Sequence, residues 1–361
     1  MKIGYSAWGF VGDGVLDSPD GGRLTRALML EHLIKKGHEI IWLQENRDVD
    51  VNGKLLFHSD NHYDDEQKQT LCKLKYDDDF PEIDVLFVEW RWRLPGRNCD
   101  VDKNSDKYTP DFDRQTDLIT YYRSKDTKIC VWDKDETMTE MDEYFVSRKC
   151  RRDITIFSPA LFPIKNLFAR ITLHFPCDLE KIKGTKINAS YENDIGYVGS
   201  QYERDYQVYK YVNPIAKYYS VVFVGNWTKY PEKAKRNKVN FPDIKFGDRI
   251  LPKNMGDIYN KSLSTVLLCK QNYAEHGHIT QRLHECLSFG TLAIGLREQR
   301  GIEQFIPEEL IIDDAFDLNN LLWDLTNSTN EDKQKLLDDE IARLKPFDIH
   351  NVIKVIESVI K

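Results

Sequence analysis

Apolar positions fall into short runs separated by stretches of helical spacing. Residues 2–8 form a strand-sized apolar run, and a glycine-rich loop follows from Gly9 to Gly22. Residues 23–36 then carry Leu24, Ala27, Leu28, Leu30, Leu33 and Ile34 at three-to-four spacing, which predicts a helix. Gly37 stops it, and residues 39–43 begin the next strand. The alternation returns with a strand at 83–90, a helix at 111–123 with Phe112, Leu118, Ile119 and Tyr122 on one face, and strands at 128–132 and 153–158. Residues 50–80 and 91–110 are polar and aspartate-rich and read as loops or small excursions rather than core.

A second series predicts strands at 195–198, 221–224, 244–246, 264–269 and 292–296, with helices at 203–219, 255–261 and 280–289. The tail, residues 331–361, reads as helical with a break at Lys345-Pro346. Strand, helix and strand with short connections mark a parallel sheet covered by helices. The expected fold class is therefore α/β, with two doubly wound, Rossmann-like domains. Residues 1–178 form the first, 179–194 a polar linker, and 195–361 the second, whose C-terminal helices return toward the first. Two such sheets facing a central cleft bind ligands at the carboxyl ends of their strands.

Composition narrows this picture. A chain of 361 residues suits two domains. Its longest apolar runs are strand-sized, so no membrane partner is expected. The N-terminus runs straight into a strand without a charged leader or cleavage site, which predicts a cytoplasmic protein, and a monomer is expected. Seven cysteines, at 72, 99, 130, 150, 177, 269 and 286, lie far apart without a C-x-x-C pair, which argues against a disulfide framework or a structural zinc site. The formal net charge is −8, so any grip on nucleic acid needs a local basic patch. Two segments offer one: residues 147–152, and the lysine-rich stretch from Lys229 to Lys245. No strict G-x-G-x-x-G follows a strand and no Walker motif is present, so hydride transfer and P-loop chemistry are poorly supported.

The segment richest in chemistry is 271–296. A polar, glycine-containing loop with Tyr273 and His278 meets a helix N-terminus near Thr280, a place suited to a diphosphate. Arg282 and Glu285 lie three apart and share a face. The arginine can pair with phosphate oxygens, and the glutamate offers two acceptors for ribose hydroxyls. Gly199-Ser200, at the end of a predicted strand with Arg204 beyond, is a second place where backbone can approach phosphate. Asp133 and Asp135, after the strand at 128–132, are candidate bases for an acceptor hydroxyl, and the residue types leave both open. Trp8, Gly9 and Arg91, after two N-terminal strands, are the candidate acceptor contacts.

The run Arg282-x-x-Glu285-x-x-x-x-Gly290-Thr291 resembles the nucleotide-sugar segment of GT-B glycosyltransferases. Gly199-Ser200, Phe223-Val224-Gly225-Asn226, Phe246-Gly247-Asp248-Arg249-Ile250-Leu251-Pro252-x-x-Met255 and Lys270-Gln271-Asn272-Tyr273 repeat, in order, landmarks of the phage DNA glucosyltransferases that modify hydroxymethylcytosine. That resemblance covers about residues 190–300. It implies that backbone near Ile250 holds the base, that Arg204 and Arg282 hold the diphosphate, and that the base after the N-domain strand falls best on Asp135.

There are departures. The acidic residue those enzymes carry near the first helix has no clear counterpart around Asp20. Gly277 also stands where retaining relatives place the first of two glutamates. His278 and His284 are wrongly spaced for one helix face, so no metal site is assigned, although a divalent cation can assist. The expected activity is transfer of glucose, or a pentose such as arabinose, from a UDP-sugar co-substrate to a hydroxyl. No tightly bound cofactor is expected. The expected acceptor is 5-hydroxymethylcytosine in double-stranded phage DNA. The alternatives are a surface-glycan or small-molecule acceptor, or a non-catalytic nucleotide-binding module.

Overall fold

The computed structural model describes residues 1–7, 11, 22–44, 52, 54–57, 63–90, 111–125, 127–147 and 154–361. These divide into two compact units. One comprises Met1–Pro159, Pro163–Pro176 and Ile349–Lys361, and the other Ala160–Phe162 and Cys177–Asp348.

The first unit is built on β1 (Lys2–Ala7), β2 (Glu39–Trp42), β3 (Lys75–Tyr76), β4 (Val85–Trp90), β5 (Lys128–Asp133), β6 (Ile154–Ser158) and β7 (Arg170–Thr172). They pair in parallel in the order β3-β2-β1-β4-β5-β6-β7. Every residue of β4 is buried, as expected of a central parallel strand covered on both faces. Tyr5 stacks between Trp42 at 5.6 Å and Phe87 at 5.2 Å, tying three strands into one core layer.

The second unit holds β8 (Asn193–Val198), β9 (Val221–Val224), β10 (Ile244–Gly247), β11 (Ser262–Val266), β12 (Leu292–Leu296) and β13 (Ile311–Ile312). All pair in parallel, in the order β10-β9-β8-β11-β12-β13. In each sheet the first strand has its successor on one side and a later strand on the other. The connections therefore diverge there and leave a crevice at the carboxyl ends, between β1 and β4 and between β8 and β11.

Several sequence expectations are corrected. Residues 50–80 contribute to the core: helix Asp65–Leu71 and edge strand β3 bring Leu71 and Leu74 into it. Residues 179–194 are packed into the second unit, with Asn188 Nδ2 donating to the Tyr259 and Ser262 carbonyls. The helix expected at 203–219 is short, Asp205–Gln207, and passes into a π-helical turn at Val208–Val212. The lysine-rich stretch contains a helix, Pro231–Asn240, and residues 271–276 form one rather than a loop. The tail does break at Lys345–Phe347, but only its last helix, Ile349–Ile360, joins the first unit. Among the described residues, no helix is long and apolar enough to cross a membrane.

Candidate functional site

In the second unit, the loops after β8, β9 and β11 meet at the crevice. Gly199 follows β8, and its carbonyl accepts from Trp227 Nε1 at 2.8 Å. A Cβ on Gly225 would run into that same carbonyl oxygen, so this glycine is needed for the close approach of the two loops. Asn226 Oδ1 accepts from the Gln201 amide at 2.7 Å and locks the pair. Asn226 thus sets the loops in place.

Arg204 and Arg282 are each only 7% exposed. Arg204 Nε donates to the Leu268 carbonyl at 3.2 Å, and its Nη1 to the Ser200 and Tyr202 carbonyls, both at 3.0 Å. Arg282 Nη1 donates to the same Leu268 carbonyl at 3.0 Å, and its Nε to the Val198 carbonyl at 3.0 Å. Two guanidinium groups therefore share one carbonyl acceptor. Arg282 also lies over the Tyr197 ring, 4.4 Å from its centroid, and its Nη2 points at Gly199, where a Cβ would collide with it. Among the described residues neither arginine has a carboxylate within the 4.0 Å of an ion pair, and the Nη2 hydrogens of both have no acceptor. Buried charges are ordinarily paired with a counter-charge, and here main-chain carbonyls take that place.

Glu285, half-buried one turn along helix Arg282–Leu287, completes the wall. Burial pushes its carboxyl up to about 7, while Arg282 and a hydrogen bond from Gln281 pull the other way. Ser200 and Thr280 are partly exposed at the same edge, and Arg249 is exposed after β10, its Nη2 3.3 Å from the Tyr202 hydroxyl, with Ile250 beside it. Tyr273 and His278 stack face to face at 3.9 Å with both rings buried. The His278 amide donates to the Tyr273 carbonyl and its carbonyl accepts from Gln299, so its backbone braces the turn. His284 is buried, which drives its pKa down to about 3. No group of three His, Cys, Asp or Glu side chains suited to a metal occurs among the described residues.

In the first unit, β5 ends at Asp133 and a tight turn carries Asp135. Asp133 is fully buried: Oδ1 accepts from the Thr137 amide at 2.9 Å, and Oδ2 from Met138 at 3.0 Å and from Arg170 Nη1 at 2.9 Å. Burial raises it to about 6 against the pull of Arg170. Both of its oxygens thus help to hold the turn. Asp135 is only partly buried. Beside it Glu136 has φ +52, with its Oε1 accepting from Ser158 Oγ at 3.0 Å and the Ile164 amide at 3.3 Å. Trp8, Gly9 and Arg91 lie outside the described residues.

Sequence reasoning missed Asn226's bracing role, Gln201, Trp227 and Arg170. It also missed the Leu268 carbonyl, which no side-chain pattern signals. Next to the first crevice, Glu89 is fully buried and accepts from Arg26 (2.8 Å at each oxygen), Tyr5 (2.6 Å) and Lys134 (2.7 Å). Burial alone would raise its pKa, but Arg26 and Lys134 hold it at about 2.

Two doubly wound parallel sheets with crevices of this kind define the GT-B class of fold. The T4 phage β-glucosyltransferase bound to its UDP-glucose substrate superposes with a TM-score of 0.64 at 14% identity, over 100% of both chains. It has also been solved with UDP and Mn2+. An α-glucosyltransferase in complex with UDP and a 13-mer DNA containing an HMU base gives 0.59 at 12% identity, over 100% of this chain and 99% of that one. AviGT4, a glycosyltransferase of avilamycin A biosynthesis, gives 0.52 at 10% identity, covering 99% and 96%. No family model matches the sequence, and no curated protein does. The chain thus has the GT-B fold and resembles phage DNA glucosyltransferases in structure.

Proposed function

We propose that the protein is a glycosyltransferase that moves a sugar from a UDP-sugar to a hydroxyl, with 5-hydroxymethylcytosine in DNA as acceptor. The observation that carries this reading is the pair of buried, carboxylate-free arginines, Arg204 and Arg282, converging on the Leu268 carbonyl beside Gly199. Their remaining Nη2 donors suit the oxygens of a diphosphate, and Glu285 suits the ribose hydroxyls. Backbone around Ile250 receives the base, with Arg249, Tyr273, His278 and Thr280 closing the donor side. Asp135 takes the proton of the acceptor hydroxyl, whose oxygen forms the new bond to the anomeric carbon. The bond from that carbon to the β-phosphate oxygen breaks, and UDP leaves with its charge stabilised by the two arginines. A divalent cation aiding the leaving diphosphate would be held by the phosphate oxygens themselves, because the described residues here offer guanidinium donors and no carboxylate cage. The structures of similar fold that hold UDP-glucose, or UDP with an HMU-containing DNA, support the donor and the acceptor.

The test is transfer of labelled glucose or arabinose from UDP-sugars to hydroxymethylated and plain duplexes. Label is expected on the hydroxymethylated duplex alone. Asp135→Asn is expected to lower turnover at least 100-fold with donor binding kept, in line with loss of a positioned base. Full turnover by Asp135→Asn would remove this mechanism. Hydrolysis of one donor with no label on either DNA would favour a glycan or small-molecule acceptor, the reading that the net charge of −8 favours.

A further inference from the structure

At the carboxyl edge of the second sheet, next to the donor crevice, Lys229 and Tyr230 lie in the segment after β9, and Arg249 in the segment after β10. Lys233 and Arg236 sit three apart on helix Pro231–Asn240. Acidic residues outnumber basic ones 59 to 51 in this chain, and exposed cations elsewhere, among them Lys35, Lys75, Lys261, Arg297 and Lys335, each reach a carboxylate. Among the described residues, none of Lys229, Lys233, Arg236 and Arg249 has one within 4.0 Å. These four side chains also feel one another. Partial burial lowers Lys233 below its usual value, Asp205 opposes this, and Arg236, Arg249 and Lys229 push it down further. The neighbouring carboxylates are Asp205, which bonds Gln201, Asp248, which bonds Thr228, and the exposed Glu232 in the first turn of the same helix, which makes no ion pair with these four cations among the described residues. Two tyrosines stand among the cations: Tyr202, 49% exposed and bonded to Arg249, and Tyr230, 59% exposed with Lys229 Nζ 5.2 Å from its ring centre.

We infer that Lys229, Lys233, Arg236, Arg249, Tyr202 and Tyr230 form a docking surface for the phosphate backbone of duplex DNA. The inference rests on the DNA-acceptor reading and adds where the polymer is gripped. A local cluster of uncompensated cations in an acidic chain complements a polyanion, which presents one charge about every 1.7 Å. Exposed tyrosine hydroxyls among the cations can donate to backbone phosphate oxygens. A membrane-binding face would instead present Trp, Phe or Leu for insertion beside its cations, and this patch has none.

The probe is an unmodified duplex, because backbone contacts carry no sequence information. Its affinity is measured by fluorescence anisotropy between about 50 and 200 mM salt. The wild-type protein is expected to bind with a steep salt dependence. In Lys229→Ala/Lys233→Ala/Arg236→Ala, the slope of log affinity against log salt is expected to fall by about 2 to 3, at about 0.9 per lost phosphate contact. Affinity should fall tenfold or more, with UDP binding by calorimetry unchanged, which also reports that the variant is folded. An unchanged slope in the triple variant, or no plain-duplex affinity in the wild type, overturns the surface. Binding to phosphatidylserine vesicles that the triple variant loses, with duplex binding kept, would reassign it to a membrane. A protein that grips plain duplex through this patch yet moves no label to hydroxymethylated duplex loses the acceptor reading and keeps the surface.

Discussion

At the residue scale, the two candidate sites share one signature. Among the described residues the non-glycine positions with positive φ are Glu136 and Glu203, the immediate neighbours of Asp135 and Arg204. Such conformations persist only where surrounding contacts over-determine them, and they gather at functional positions. Glu285 gives a pH prediction. Its folded-state value of about 7 lies above the ordinary 4.5, so the folded protein favours the protonated form there. Its contribution to stability is therefore fully present below about 4.5 and declines as pH rises toward 7. Donor affinity runs the opposite way, because a carboxylate accepts both ribose hydroxyls and a neutral acid gives one of those places to its own proton. Calorimetric UDP affinity is expected to rise up to about tenfold between pH 6 and 8, and to be weaker but flat in Glu285→Gln. A wild-type profile as flat as the variant's would remove Glu285 from the ribose site.

At the scale of elements, the crevice proposed for the donor depends on how closely the loops after β8 and β9 approach. Gly225 leaves no room for a methyl group against the Gly199 carbonyl, which itself receives Trp227. Gly225→Ala must push the two loops apart, at a cost of about 1–3 kcal/mol for overpacking. The shift moves Gly199 away from Arg282, so UDP affinity is expected to drop tenfold or more with only a modest loss in Tm. Wild-type affinity in that variant would show that loop spacing does not set the site. The strands and glycines here were legible in the sequence, because a parallel strand buried on both faces is a near-continuous apolar run. The helix Pro231–Asn240 was not: its lysines gave no apolar stripe to read. Nor was edge strand β3, only Lys75–Tyr76, too short to show any period.

At the scale of the molecule, the chain ends in the unit where it began. Helix Ile349–Ile360 places Ile349, Val352, Ile353, Ile356 and Ile360 in the core of the first unit. At about 1.5–3 kcal/mol for each buried aliphatic side chain, their loss is worth on the order of 10 kcal/mol, comparable to a domain's whole stability. Ending the chain at Asp348 is therefore expected to unfold the first unit and abolish transfer, while UDP binding by the second unit survives. Loss of UDP binding together with the first unit's near-UV signal would show that the second unit does not hold the donor by itself.

The sequence by itself determined two doubly wound halves and singled out Arg282, Glu285 and Arg204 as the residues proposed for the donor. Each of these is written in local periodicity or in short fixed spacings. Only tertiary structure decided that the two arginines share the Leu268 carbonyl without a carboxylate, and that Asp133 accepts from Arg170 and two backbone amides. It also decided that the last helix belongs to the first unit. The arginine contacts and the Asp133–Arg170 pair depend on main-chain atoms and on partners as far as 84 residues apart, and no pattern along one chain encodes which distant carbonyl a side chain will meet.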